Sequence, residues 1–236
     1  MNVKNILVLG SKPSSMLPDI KVDKIYTANG SAERAHIYKQ KYSNIPLTCL
    51  CGAKNFDLND SVSQRIIKSE PQLLYIRSGK INLPHALHDK VELKCVTNTS
   101  QWHFQKKFFN YGLVSLLISE CYYHEHLMKK IAHIKYSILK KEFQGVSTGF
   151  YAILLALEEN PDSNIIISGV GMIGGKRYYK SEINNIFDYD KRARVDRYLL
   201  DKLKKNFKNK LYSVDDDLIR LSNIKKWQGS TFDSKN

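Results

Sequence analysis

Short apolar runs recur along the chain, and segments with helical spacing of apolar residues lie between them. Each run is five or six residues long, and most are largely apolar, which is typical of strands covered on both faces in a parallel sheet. The runs that predict strands are Asn5–Gly10, Lys24–Asn29, Leu47–Cys51, Leu73–Arg77, Val91–Val96, Asn164–Gly169 and Lys210–Val214.

The segments between these runs predict helices. Ala32–Lys41 follows a Gly-Ser turn, and Tyr111–Lys141 predicts two helices or one kinked helix. Ser147 or Thr148 caps a helix that runs through Glu159, and Arg192–Lys208 predicts a basic amphipathic helix. Because strands and helices alternate without a linker or a repeat, we predict one α/β domain over residues 1–236, with a mostly parallel central sheet flanked by helices.

The charge of the chain is strongly positive. It carries 37 Lys and Arg against 23 Asp and Glu, a formal net charge of +14. Such a field attracts polyanions: nucleic acid, an anionic membrane surface or a phosphorylated substrate. The alternative is a lysine-rich composition with no functional meaning. None of the standard nucleic-acid-binding modules is present, so we expect no nucleic-acid partner.

Neither a membrane span nor a secretion signal is apparent in the sequence. No apolar run reaches the roughly 20 residues that a spanning helix needs, and the N-terminal apolar stretch is too short for a signal-peptide core. We therefore expect a cytoplasmic protein that is peripheral to the inner face of the cytoplasmic membrane.

Cysteine usage argues against a zinc site. Cys49 and Cys51 form a C-x-C pair on a predicted strand, where the two side chains point to opposite faces, and no C-x-x-C occurs. We interpret all four cysteines, Cys95 and Cys121 included, as reduced, small core residues, and we predict no metal site.

Three polar segments lie where ligands bind in open parallel sheets: two follow predicted strands, and one opens a predicted helix. Gly10–Ser15 offers backbone N–H groups and hydroxyls, but it matches neither a dinucleotide fingerprint nor a Walker A loop. Thr27–Ser31 presents an Asn amide, or is simply an Asn-Gly turn. Gly145–Phe150 opens a helix with free N–H groups and hydroxyls, which favours an anion, although it also fits an ordinary helix cap.

The order of these segments resembles a family. GSKPSS, then TANGS, then GVSTGFYAILLAL running into NIIISGVGMI, then VDRYLLDKLKKNFKNKLY are similar to bacterial sialyltransferases and to Kdo transferase-like proteins of lipopolysaccharide core assembly. The resemblance spans most of the chain but is patchy between Cys49 and Glu142. It implies a metal-independent glycosyltransferase with a Rossmann-like sheet, a CMP-sugar as donor substrate and no further cofactor.

The resemblance also implies donor-binding positions, carried over residue by residue. Gly10, Ser11, Pro13 and Ser14 match a first nucleotide loop, and Asn29 matches a second-strand Asn near the cytidine or the sugar. Ser147, Thr148 and Gly149 match a phosphate and ribose contact at a helix start. Ser168 and Gly169 match the end of the following strand, and Tyr179 matches a Tyr on the donor phosphate.

The chain departs from the family pattern at the general base. The place of the family's His is held here by Lys191 or Arg192; an Arg is always charged, and a Lys must be strongly desolvated to accept a proton. The nearest carboxylates are Asp188 and Asp190, so our predicted catalytic residues are Asp188, Asp190 and Lys191. Two alternatives are a reaction of different stereochemistry that needs no His at this place, and a chain that has lost catalysis.

Residues 174–190 fit a lid that closes over the donor and excludes water. Together these features predict transfer of an acidic sugar, Kdo or sialic acid, from its CMP-sugar to a lipopolysaccharide or lipooligosaccharide core acceptor. The alternative is a non-catalytic protein of the same fold that binds a nucleotide-sugar or a polyanion. The oligomeric state stays open, a homo-oligomer included.

Overall fold

The structure is a computed structural model of the chain. It describes residues 3–12, 15–57, 60–109, 121, 126–140, 145–172, 186–207 and 209–233. For residues 186–192 it describes the backbone and not the side chains.

An eight-stranded sheet forms the centre of the molecule, and every pairing within it is parallel. The strand order is β6-β5-β4-β3-β1-β7-β8-β9. Two further short strands, β2 and β10, pair antiparallel outside this sheet. The strands are β1 Asn5–Leu9, β2 Leu17–Pro18, β3 Lys24–Ala28, β4 Leu47–Gly52, β5 Leu73–Arg77, β6 Glu92–Val96, β7 Asn164–Ser168, β8 Leu211–Ser213, β9 Lys225–Lys226 and β10 Thr231–Phe232.

Helices cover both faces of the sheet. Short 3₁₀ turns occupy Asn29–Ser31 and His85–Leu87. The α-helices of the described residues are α1 Ala32–Lys41, α2 Ala53–Asp57, α3 Asp60–Ser69, α4 Asn98–Phe109, α5 Leu127–Lys140, α6 Thr148–Glu159, α7 Ile186–Phe207 and α8 Asp216–Ser222.

The core lies on both faces of the sheet because successive strand side chains point in opposite directions. In β1, Ile6 and Val8 pack with α4, α6 and α7, whereas Leu7 and Leu9 pack with α1, α2 and α3. All four side chains are fully buried. The apolar character of the run Asn5–Gly10 thus has its physical cause in this two-sided burial.

Strand β1 lies at the point where the winding of the sheet reverses. The chain passes from β1 outward through β3, β4 and β5 to β6, and then returns to β7 on the other side of β1. Leu9, the last residue of β1, is paired with Thr27 of β3 and with Ser168 of β7. In open parallel sheets, ligands bind in the crevice beyond the carboxyl ends of the strands at such a reversal.

The predicted fold class is confirmed: the chain is α/β with a Rossmann-like parallel sheet flanked by helices. All seven predicted runs match observed strands to within a residue at either end, and α1 has the predicted bounds. Helix α7 starts at Ile186 rather than Arg192, so residues 186–190 of the predicted lid are helical, and the rest of that segment lies outside the described residues. Sequence patterning missed β2, α2, α3, α4, β9 and β10.

Two of the four cysteines lie where the sequence predicts. Cys49 and Cys51 are buried in β4, and all four thiols are free. The prediction is wrong for Cys95, which is exposed because it lies on the partly covered strand β6. Cys121 is half-buried. None of the helices that the structure describes combines the length and the apolar character needed to cross a bilayer.

Candidate functional site

The ends of β1 and β7 touch through their glycines. The N–H of Gly10 donates to the carbonyl oxygen of Ser168 (2.8 Å), and the N–H of Lys12 donates to that of Gly169 (2.9 Å). A Cβ at Gly10 would overlap the carbonyl oxygen of Gly169, and Gly169 has a left-handed φ of +74°. Only glycine allows so close an approach of the two backbones.

A buried arginine on α1 holds the loop that follows β1. The Arg34 side chain, which is 4% exposed, donates to the carbonyl oxygens of Gly10 (3.2 Å) and Ser15 (2.6 Å). It also donates to the Ser168 hydroxyl at 3.0 Å, and that hydroxyl donates in turn to the carbonyl oxygen of Met16 (2.6 Å). Arg34 therefore joins the loop after β1 to the end of β7.

A buried carboxylate holds the same region from the side of β8. Asp215 lies two residues after β8 and accepts from the Ser15 hydroxyl and from the N–H of Gly169, both at 2.6 Å. The carboxylate and the Arg34 guanidinium thus both bind Ser15, the carboxylate at its hydroxyl and the guanidinium at its carbonyl. The arrangement fixes the loop's course over the strand ends.

Helix α6 begins at the same edge of the sheet. Ser147 caps it, because its hydroxyl accepts from the N–H of Phe150 at 3.1 Å. The N–H of Ser147 donates to the Asp196 carboxylate of α7 at 3.0 Å. The N–H groups of Thr148 and Gly149 have no partner among the described residues. A helix start with two such donors favours an anion.

A second buried arginine lies beside this helix start. Arg77, the last residue of β5, is 6% exposed. It donates to Gln101 Oε1 (2.7 Å), to the Thr148 hydroxyl (3.2 Å) and to the carbonyl oxygen of Val146 (2.9 Å). Its guanidinium carbon lies 4.6 Å from the centre of the Tyr151 ring. Since the Thr148 hydroxyl accepts from Arg77, its own proton is left to donate to a ligand.

Asn29 lies on the 3₁₀ turn between β3 and α1. It has a positive φ of 53°, which Asn tolerates better than most residues. Its side-chain oxygen accepts from Asn55 Nδ2 at 3.4 Å, and the residue is 4% exposed. The Ser31 hydroxyl ties the turn to the carbonyl oxygen of Leu9 at 2.8 Å. Asn29 therefore sits beside the end of β1, with its amide turned toward α2.

A small cavity of about 140 Å³ opens between the ends of β7 and β8. Lys12, Val170, Gly171, Met172 and Asp217 are among its lining residues. Lys12 Nζ lies 2.7 Å from the Asp217 carboxylate, and this hydrogen bond and charge hold the pKa of Asp217 below its usual value. The cavity is smaller than the roughly 300–1,000 Å³ of typical ligand sites, so it holds one small group rather than a whole nucleotide.

The structure brings those predicted donor-binding residues that it describes to one edge but exposes only some of them. Gly10, Asn29, Ser168 and Gly169 are buried, and the Ser168 hydroxyl is engaged by Arg34 and Met16; Ser168 therefore supports the loop and does not present its hydroxyl to a ligand. None of the described donor-binding residues lines the cavity. Those that are half-buried at this edge are Ser11, Ser147, Thr148 and Gly149. Pro13, Ser14 and Tyr179 lie outside the described residues.

The predicted catalytic residues fall on the first two turns of α7. Asp188, Asp190 and Lys191 precede Asp196, which contacts the start of α6, and helix geometry puts Lys191 about 8 Å before Asp196 along the axis. The backbone of α7 thus carries these positions to the carboxyl edge of the sheet. Their side chains lie outside the part of the chain that the structure describes.

Three important charged residues were not singled out by the sequence. Arg34, Arg77 and Asp215 are buried through contacts with segments far along the chain, and nothing local distinguishes them from solvated charges. The one local signal was position: Arg77 ends a predicted strand and Asp215 follows one, and ligands bind at the carboxyl ends of strands in parallel sheets.

Comparison with known proteins identifies no relative: no protein family, curated protein or solved structure matches this chain at a significant level. Within the described ranges, no three His, Cys, Asp or Glu side chains come together as a metal site.

Proposed function

We propose that the protein is a glycosyltransferase that moves an acidic sugar, Kdo or sialic acid, from a CMP-sugar to a lipopolysaccharide or lipooligosaccharide core acceptor. The observation that carries the proposal is the start of α6 at the carboxyl edge of the sheet, beside Arg77 and next to the reversal of strand order between β1 and β7. The choice of CMP rests on the resemblance of the sequence motifs.

The donor phosphate is assigned to the start of α6. The N–H groups of Thr148 and Gly149 and the Thr148 hydroxyl would donate to phosphate oxygens, and the helix dipole favours their negative charge. Arg77 adds positive charge at Thr148. When the bond between sugar and phosphate breaks, negative charge grows on CMP, and donors already fixed in place stabilise that charge. Tyr179 and the predicted lid would complete the enclosure.

The acceptor hydroxyl must lose a proton as it attacks the sugar. Asp188 or Asp190 is the proposed proton acceptor, since a carboxylate within hydrogen-bond reach serves as a general base. Lys191 is the third candidate and would need strong desolvation to act. All three positions precede Asp196, which binds the N–H of Ser147.

Two features favour a second function, that of a binding protein. Arg192 or Lys191 holds the place of the family's His, and the buried Asp196 carboxylate already lies on the start of α6. A chain that binds the nucleotide-sugar without transferring it would tolerate both features.

Thermal unfolding with added ligand tests the proposal. At a concentration a hundred times its Kd, CMP should stabilise the protein by about 2.7 kcal/mol, or roughly 5–10 °C for a chain of this size. UMP and a short oligonucleotide should have little effect. Stabilisation by the oligonucleotide alone would overturn the proposal.

A matched pair of variants locates the binding. Thr148→Val should weaken CMP binding about tenfold, the value of one hydrogen bond to a charged group. Thr97→Val is the control, because the Thr97 hydroxyl also lies at a helix start, where it accepts from the N–H of Ser100 at 3.1 Å. Turnover of the CMP-sugar in the presence of core acceptor then separates the enzyme from a binding protein.

A further inference from the structure

Exposed apolar side chains are concentrated on helix α5. Among the residues that the structure describes, seven large apolar side chains are exposed, and five of them lie on this helix. Leu127 and Met128 are 70% and 76% exposed, far more than large apolar side chains that pack against a core. The five residues are Leu127, Met128, Ile131, Ile138 and Leu139.

These residues share one face of the helix. At 100° per residue, Leu127, Ile131 and Ile138 fall within a narrow stripe, with Met128 and Leu139 on its flank. The less exposed positions, Lys130 and Ile134, lie on the other side of that stripe. Helix α5 therefore turns an apolar face outward.

The charge of the helix has one sign. Its sequence, LMKKIAHIKYSILK, contains four lysines and no Asp or Glu. Lys129 and Lys135 are exposed; Lys135 lies within the apolar face, and Lys129 lies about 80° beyond Leu139, on the polar side of the helix. A long lysine stem lies along apolar surface while its ammonium group reaches water or a phosphate. Lys135 thus carries its charge on the same surface as the exposed apolar side chains.

We propose that α5 is a docking helix for a lipid bilayer rich in anionic lipid, lying in the plane of the headgroups with its apolar face inserted. A basic amphipathic helix binds such a surface through buried apolar area and through attraction to anionic headgroups. A second copy of the chain fits less well, because lysines on two facing helices would repel and α5 offers no carboxylate to pair with them. The proposal does not depend on the nucleotide site.

Flotation with lipid vesicles tests this proposal on the full chain. We expect binding to vesicles of phosphatidylcholine with about one third phosphatidylglycerol, weak binding to pure phosphatidylcholine, and loss of binding at high salt. Ile131→Gln with Ile138→Gln should lower the partition coefficient at least tenfold, since it removes apolar area without changing charge. Val3→Gln with Leu221→Gln, two exposed apolar residues elsewhere, is the control.

The lysines are tested in the same way. Lys129→Gln with Lys135→Gln should lower the partition coefficient about thirtyfold, because each lysine near an anionic surface contributes roughly a fivefold factor. Lys80→Gln with Lys90→Gln, two exposed lysines outside α5, removes equal charge and should have a much smaller effect.

Three results would overturn the proposal. Equal losses of vesicle binding in the lysine test pair and the lysine control pair would assign binding to net charge and not to α5. Equal binding to neutral vesicles would remove the role of the lysines. A wild-type dimer in sedimentation that the Ile131 and Ile138 substitutions convert to a monomer would make this face a self-association surface. In every variant, CMP should raise the unfolding temperature as much as it does in wild type, which keeps this test separate from that of the nucleotide site.

Discussion

Replacing Arg34 with Met tests whether the carboxyl edge is held together from within. Met is similarly long and flexible, so it fills much of the same volume, but it donates no hydrogen bond. The substitution leaves the carbonyl oxygen of Ser15 and the hydroxyl of Ser168 without their shared donor. The loop after β1 then loses its attachment to α1.

The expected loss follows from the burial of these groups. A hydrogen bond from a charged donor contributes about 1.5–3 kcal/mol, and an acceptor left buried without a partner costs about 1–3 kcal/mol. Arg34 makes three such contacts at 3.2 Å or less, but water that enters the loop will partly replace them. We therefore expect the free energy of unfolding to fall by about 3–4 kcal/mol, a large part of the 5–15 kcal/mol of an ordinary domain.

Urea denaturation followed by circular dichroism measures this loss. Arg220→Met is the matched control, because the Arg220 side chain is 75% exposed and contacts Asp217 at 3.5 Å; it should change stability by no more than about 0.5 kcal/mol. A loss below about 1 kcal/mol for Arg34→Met, with an unchanged denaturant slope, would refute the reasoning.

Three further predictions concern the same fold. Gly169→Ala should cost about 3 kcal/mol in urea denaturation, since φ is +74° and the added Cβ would lie 2.6 Å from a carbonyl oxygen of the loop after β1; an unchanged midpoint would contradict this. A thiol reagent at about pH 8 should label the exposed Cys95 and not Cys49, whose burial raises its pKa to about 11; peptide mass spectrometry decides, and equal labelling would disprove it. Lys12 lowers the pKa of Asp217, so this carboxylate stabilises the fold above its ordinary pKa, and the benefit disappears as pH falls through the lowered value. Asp217→Asn should therefore be slightly less stable than wild type near pH 7 and equal to it once the pH has fallen below the lowered pKa, and a difference that persists in acid would exclude this cause.

The sequence predicts the central sheet well because its strands are buried on both faces. β1, β3 and β7 are short apolar runs that no surface helix or loop would carry, and α6 combines a capping Ser147 with an apolar run. Helix α3 escaped notice for the opposite reason. Val62 and Ile66 are its only buried apolar residues, and its composition is nearly that of a loop.

The candidate site is harder to predict because its charges act over long separations. Arg34 bonds Ser168, 134 residues away, and Arg77 bonds Thr148, 71 residues away. In the sequence, Arg34 is one polar residue in an amphipathic helix and Arg77 closes a strand. Neither position reveals burial until the sheet order brings β1, β5 and β7 to one edge.

At this edge of the sheet, the junction of β1 and β7 and the start of α6 have different roles. Where β1 meets β7, the Arg34 side chain donates to the carbonyl oxygen of Ser15 and to the Ser168 hydroxyl, and the Asp215 carboxylate accepts from the N–H of Gly169. These polar groups already have hydrogen-bond partners within the protein. At the start of α6, the N–H groups of Thr148 and Gly149 have no partner among the described residues, and both residues are half-exposed. A ligand gains most from donors that the fold has left unused, because it need not displace an internal partner to reach them. The anion is therefore expected on α6, with the closed end of β1 and β7 serving as the rigid wall that fixes its position.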